Sequence, residues 1–151
     1  MKKFLLALVA LVCVSAVSAQ EYKHAAGLRL GYGVELQYEH NFSSQNFLKA
    51  NLGLFGYHAN FMASATYNWN LFQWNWTPSV GKWFFTAGVG GSLGVWGGGF
   101  QLGVSGDAAF GLRFKNVPIT LALDYRPTIY FFHHAWGTGF AGASLSATYN
   151  F

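Results

Sequence analysis

From Lys23 onward, apolar and polar side chains alternate with a period of two in one segment after another. That period puts successive side chains on opposite faces of an extended strand. In 23–31, Leu28 and Leu30 oppose Arg29; in 34–42, Val34, Leu36 and Tyr38 oppose Glu35, Gln37 and Glu39. Leu48, Ala50, Leu52 and Leu54 oppose Lys49 and Asn51 in 46–57, and Phe61, Ala63, Ala65, Tyr67 and Trp69 oppose Ser64, Thr66 and Asn68 in 60–70. Segment 82–96 sets Trp83, Phe85, Ala87, Val89, Leu93 and Val95 against Thr86, Gly88, Gly90 and Ser92. Segment 100–115 sets Leu102, Val104, Ala108, Phe110, Leu112 and Phe114 against Gln101, Ser105, Asp107, Arg113 and Lys115. In 118–132 the pattern opens with Ile119, Leu121, Leu123 and Tyr125 against Thr120, Asp124 and Arg126. The last segment, 139–151, sets Ala143, Leu145, Ala147, Tyr149 and Phe151 against Ser144, Ser146, Thr148 and Asn150.

Breaking the first two segments at Gly31-Tyr32-Gly33, where glycine tolerates hairpin conformations, gives eight strands. Gly97-Gly98-Gly99, 115–118 and 43–46 read as further hairpin turns, whereas 71–81, with Trp74, Trp76 and Pro78, reads as a long connection. Pro127 lacks a ladder donor and predicts a bulge that throws the strand beyond Arg126 out of register. Beyond Lys23, the charged residues are Arg29, Glu35, Glu39, Lys49, Lys82, Asp107, Arg113, Lys115, Asp124 and Arg126, and each falls on the polar face of its segment.

Composition gives this pattern its setting. Charged residues make up 9% of the chain and aromatic residues 19%, where a soluble domain carries about 25% charged residues. No apolar run after the first segment approaches the ~20 residues of a membrane-crossing helix. An apolar chain that crosses a bilayer without helices must close its strands into a barrel. The expected fold is therefore all-β: a transmembrane antiparallel up-and-down barrel of eight strands over residues 20–151. Residues 1–19 read as a cleaved signal peptide, with Lys2 and Lys3, an apolar stretch and Val17-Ser18-Ala19 before the cut. The single cysteine, Cys13, lies in that leader, which leaves no thiol for a disulfide, a metal site or a nucleophile. Without Lys2 and Lys3, seven Lys and Arg stand against five Asp and Glu, and no basic cluster suggests nucleic acid as a partner.

The closing run, ending Ser-Leu-Ser-Ala-Thr-Tyr-Asn-Phe, resembles the C-terminal assembly signal of bacterial outer-membrane barrels, with Tyr149 and Phe151 as its aromatic elements. The runs Ala-Gly-Leu-Arg-Leu-Gly-Tyr-Gly (26–33), Lys-Trp-Phe-Phe-Thr-Ala-Gly-Val-Gly (82–90) and Val-Pro-Ile-Thr-Leu-Ala-Leu-Asp-Tyr-Arg-Pro (117–127) resemble small bacteroidete-type outer-membrane barrels, akin to OmpX-like or OmpA-transmembrane barrels. The resemblance implies a Gram-negative, porin-like membrane protein in the outer membrane. Its expected partners are outer-membrane lipids and, during biogenesis, the barrel-assembly machinery. It implies no catalytic residues and no cofactor.

Candidate chemistry reduces to the charges on the polar faces. Arg29, Glu35, Glu39, Lys49, Asp107, Arg113, Lys115, Asp124 and Arg126 are expected in the lumen, paired mostly with neighbours on adjacent strands, because eight strands leave an interior that side chains just fill. His24, His40, His58, His133 and His134 do not form a metal-ligand pattern, since adjacent His133 and His134 point to opposite faces of a strand. Gly88, Gly90, Gly91 and Gly94 lack the Gly-Lys-Ser/Thr and following helix of a phosphate loop and read as inward space for larger side chains. The expected function is non-catalytic: a barrel with a plugged polar lumen, structural or surface-interacting. A lipid-modifying enzyme using His58, His133 or His134, and a narrow pore, are the alternatives.

Overall fold

A computed structural model describes residues 22–55, 60–131 and 142–151. Nine strand segments follow in chain order: β1 (His24–Leu30), β2 (Gly33–Asn41), β3 (Asn46–Phe55), β4 (Asn60–Thr77), β5 (Gly81–Trp96), β6 (Gly99–Phe114), β7 (Ile119–Tyr125), β8 (Thr128–Tyr130) and β9 (Ala143–Asn150). Every pairing is antiparallel, each strand from β1 to β6 lies beside the next in sequence, and β9 returns to pair with β1. Both β7 and β8 pair with β6, so together they fill one place in the wall. The result is an eight-stranded closed antiparallel barrel, whose first and last strands pair with each other instead of ending the sheet as edges.

The break at Gly31-Tyr32 is real: β1 ends at Leu30, β2 begins at Gly33, and Arg29 faces Glu35 directly across the hairpin. Gly97 and Gly98 carry φ of 58° and 81°, and they join Trp96 to its partner Gly99. Two successive positive φ values make the tight hairpin turn that the twist of paired strands favours, and glycine adopts them without steric cost.

Two expectations need correction. The long connection over 71–81 does not exist: β4 runs on to Thr77, and the Val80 amide bonds the Thr77 carbonyl at 2.9 Å across a turn containing Pro78. The β4–β5 register slips between Asn70 and Phe72 and again between Trp74 and Thr77. Each extra residue moves the following side chains to the other parity, which is why the period of two seemed to stop at Asn70. The other correction concerns Pro127, which causes no bulge. Ala108 faces Tyr125 and Ser105 faces Thr128, so the register against β6 passes through the proline unchanged. Its carbonyl still accepts from the Gly106 amide at 2.9 Å, and its ring sits against Gly106, where a Cβ would lie 3.3 Å from Cγ. Thr128 is accordingly buried on the same face as Asp124 and Arg126.

Burial alternates as the polarity does, but inverted relative to a water-soluble core. Leu36 and Leu123 are each 63% exposed, while Arg29, Glu35 and Asp124 are 3%, 2% and 2% exposed. Aromatic side chains gather on the outer surface near the turn that joins β4 to β5, where Trp74 stacks on Trp76 (5.1 Å) and Trp83 on Phe110 (5.3 Å). At the opposite end of the wall Tyr32 stacks on Trp96 at 6.2 Å.

Candidate functional site

The inward positions of β1, β2, β7 and β9 converge on one ionic network. Arg29 of β1 donates Nη1 to Glu35 and Nε to Asp124, and its Nη2 reaches the Gly142 carbonyl at 2.6 Å. Arg126, between β7 and β8, donates to the second Glu35 oxygen and to Ser64 Oγ of β4 at 2.7 Å. Ser144 of β9 donates to Asp124 at 2.8 Å. Glu35 thus accepts from two guanidinium groups, and Asp124 from one guanidinium and a hydroxyl. A second bridge joins Lys49 Nζ of β3 to Asp107 of β6 at 2.8 Å. Since β3 and β6 are separated by two strands on the shorter way round the wall, this bridge crosses the interior.

Only part of this follows adjacent-strand logic. Arg29 and Glu35 are direct cross-strand partners and do pair. Lys49 is opposite Glu39 on the neighbouring strand, yet it bonds Asp107, and Glu39 instead accepts from Gln37 Nε2 at 2.6 Å. Asp124 of β7 is held by Arg29 of β1, with β9 lying between their strands. Residues facing each other across a narrow, tilted barrel can be closer than a neighbour whose side chain leans along its strand. Arg113 and Lys115 lie apart from these bridges, at the end of the barrel that carries both described chain ends. Arg113 is half-buried, with its guanidinium 5.4 Å from the Phe84 ring, and Lys115 is exposed past the end of β6.

Three inward aromatic residues, Phe47, Phe55 and Phe84, were missed by the apolar pattern and are 5%, 6% and 6% exposed. Their signal was parity: each sits an even number of residues from Lys49, Asn51 or Thr86. The glycines need a smaller correction. Gly88, Gly90 and Gly94 have inward parity, but Gly91 is exposed on the outer face. At Gly90 the space is taken by the adjacent strand itself, since a Cβ would collide with the Ala65 carbonyl oxygen. Close backbone approach, rather than a large side chain opposite, is what glycine allows there.

Tyr149 is half-buried and Phe151 exposed on the outer surface; their rings stack at 6.5 Å, and Phe151 also stacks on His24 at 5.7 Å. The Phe151 amide donates to the His24 carbonyl at 2.8 Å and its carbonyl accepts from the His24 amide at 3.0 Å, which completes the β9–β1 seam. His24 and His40 form an outer-surface pair, with His24 also 2.7 Å from the Tyr38 hydroxyl. His58, His133 and His134 fall outside the described residues. Among the described residues, no group of three or more His, Cys, Asp or Glu is arranged to hold a metal ion. The chain matches no protein-family model, and no curated protein is significantly similar to it.

Proposed function

We propose that the chain is an outer-membrane β-barrel protein, related in kind to the small bacteroidete-type, OmpX-like barrels, whose lumen is closed by its own ion pairs. Its role is structural or surface-interacting rather than catalytic. The observation that carries this reading is the inverted distribution of polarity. Leucine, valine and aromatic side chains cover the outside of a closed barrel, while Arg29, Glu35, Lys49, Asp107, Asp124 and Arg126 are buried within it. In water that outer surface would cost free energy in proportion to its area, and the buried charges would offer no compensating apolar core. In a bilayer the same surface meets hydrocarbon, and a closed barrel bonds its backbone polar groups from strand to strand. Aromatic side chains near the strand ends, including Tyr32, Trp76, Trp83 and Trp96, suit the two interfaces.

The supporting sequence features are the leader over 1–19 and the terminal Tyr149–Phe151 pattern, which fit export and recognition by the barrel-assembly machinery. Lipid surrounds the wall in this reading, and no cofactor takes part. Cell fractionation is the test. The folded protein should be recovered with the outer membrane and migrate faster on gels unheated than after boiling. A soluble product with no heat-modifiable form would overturn the proposal. Stable conductance steps in planar bilayers would overturn the closed lumen while leaving the membrane location standing.

A further inference from the structure

The seven lysines and arginines from Gln20 onward divide cleanly. Arg29, Lys49 and Arg126 are consumed by the interior ion pairs. The other four, Lys23, Lys82, Arg113 and Lys115, all line one cavity of about 450 Å³ at the mouth that carries both described chain ends. Among the described residues no aspartate or glutamate lines that cavity, and an adjoining cavity of about 360 Å³ shares Lys82, Arg113 and Lys115. None of the four cations makes an ion pair among the described residues.

Two details set this mouth apart from an ordinary solvated rim. Lys82 and Arg113 are direct cross-strand partners on β5 and β6. Like charges placed opposite each other in a ladder are destabilising, so the arrangement costs stability unless an anion sits between them. The Arg113 Nε is also buried without a hydrogen-bond partner, while Phe84 lies 5.4 Å from the guanidinium. A buried charged donor left unpaired is expensive, and a ligand oxygen would satisfy it. Asn41, Asn70, Gln73 and Asn150 add amide groups to the same lining.

We propose that this mouth is a binding site for a phosphate group, presented either by a soluble phosphate or by a lipid headgroup. Phosphate carries more charge than a carboxylate, up to about −2, and three acceptor oxygens, which suits several cations converging with no acidic group among the described lining residues. Glu39 acts on Arg113 electrostatically, but it accepts a hydrogen bond from Gln37 and lies outside the lining.

The experiment uses the folded barrel in zwitterionic detergent, so it does not depend on where the protein resides in the cell. Inorganic phosphate is titrated calorimetrically at constant ionic strength, and in parallel a short-chain phosphatidic acid is doped into the micelles. Saturable binding is expected, about tenfold weaker in Lys82→Gln, which corresponds to about 1.4 kcal/mol. It should disappear in Lys82→Gln/Lys115→Gln. Both side chains are exposed, so these variants keep the barrel, as unheated gel mobility will verify. Binding of inorganic phosphate alone assigns a soluble source, and binding of the doped lipid alone assigns a headgroup. No saturable binding of either probe, or equal binding by the double variant, overturns the proposal.

Discussion

Lys49 shows what a residue's partner does for it inside this barrel. Its side chain is 3% exposed and its ammonium is held by Asp107, itself buried on the far wall. Removing one member of a buried ion pair strands the other and typically costs about 3–5 kcal/mol, while replacing both with apolar groups costs far less. Asp107→Ala should therefore lower stability by roughly that amount, and Lys49→Met/Asp107→Leu should recover most of it. Urea unfolding of the refolded barrel measures both, and a double variant no more stable than Asp107→Ala would show that Lys49 is not stabilised through this pair. That Lys49 and Asp107 face inward was legible in the parity of their segments. That they bond each other was not, because the partner is chosen by distances across the barrel, and a sequence pattern specifies only neighbours along and beside a strand.

At the scale of the element, alternation was readable wherever the register is uninterrupted. It failed in β4, where slips at Asn70/Phe72 and Trp74/Thr77 made a continuous strand look like a connection. It also exaggerated Pro127, whose missing amide is accommodated opposite Gly106 without any slip. The β7 strand gives a direct test of facing. Leu123 points outward, 63% exposed, and an arginine there would meet hydrocarbon in the proposed bilayer at a cost of about 2–4 kcal/mol near the midplane. Thr120 points inward opposite Arg113, so Thr120→Glu should be tolerated despite losing the 2.9 Å bond from Asn150. Outer-membrane yield and heat-modifiable mobility should fall sharply for Leu123→Arg alone. Gly90→Val tests a different contact of the wall. Its Cβ has no room beside the Ala65 carbonyl, and the strain should exceed the 1–3 kcal/mol or so of ordinary overpacking, because backbone rather than a side chain must move.

For the whole molecule the decisive event is closure, and closure runs through the last residue. Strand β9 pairs with β7 on one side and β1 on the other, and Phe151 carries the β1 pairing to His24 with two backbone hydrogen bonds. Deleting Phe151 removes those bonds and the ring stacked on His24 and Tyr149. The direct loss of stability is bounded: Phe151 is 51% exposed, so its burial contributes less than the ~1.5–3 kcal/mol of a fully buried phenylalanine. Each of the two backbone bonds adds about 0.5–1.5 kcal/mol. If the terminal aromatic pattern is also what the assembly machinery recognises, the deletion should reduce insertion in cells far more than this modest loss of stability predicts. The two effects separate cleanly, since refolding into lipid in vitro bypasses the machinery. The expected outcome is a truncated barrel that refolds in vitro with a slightly lower urea midpoint, yet is nearly absent from the outer membrane of cells. Normal outer-membrane yield would remove the assembly role and leave Phe151 only the closing of the seam. A truncated chain that cannot refold in vitro would instead make the seam itself the limiting step.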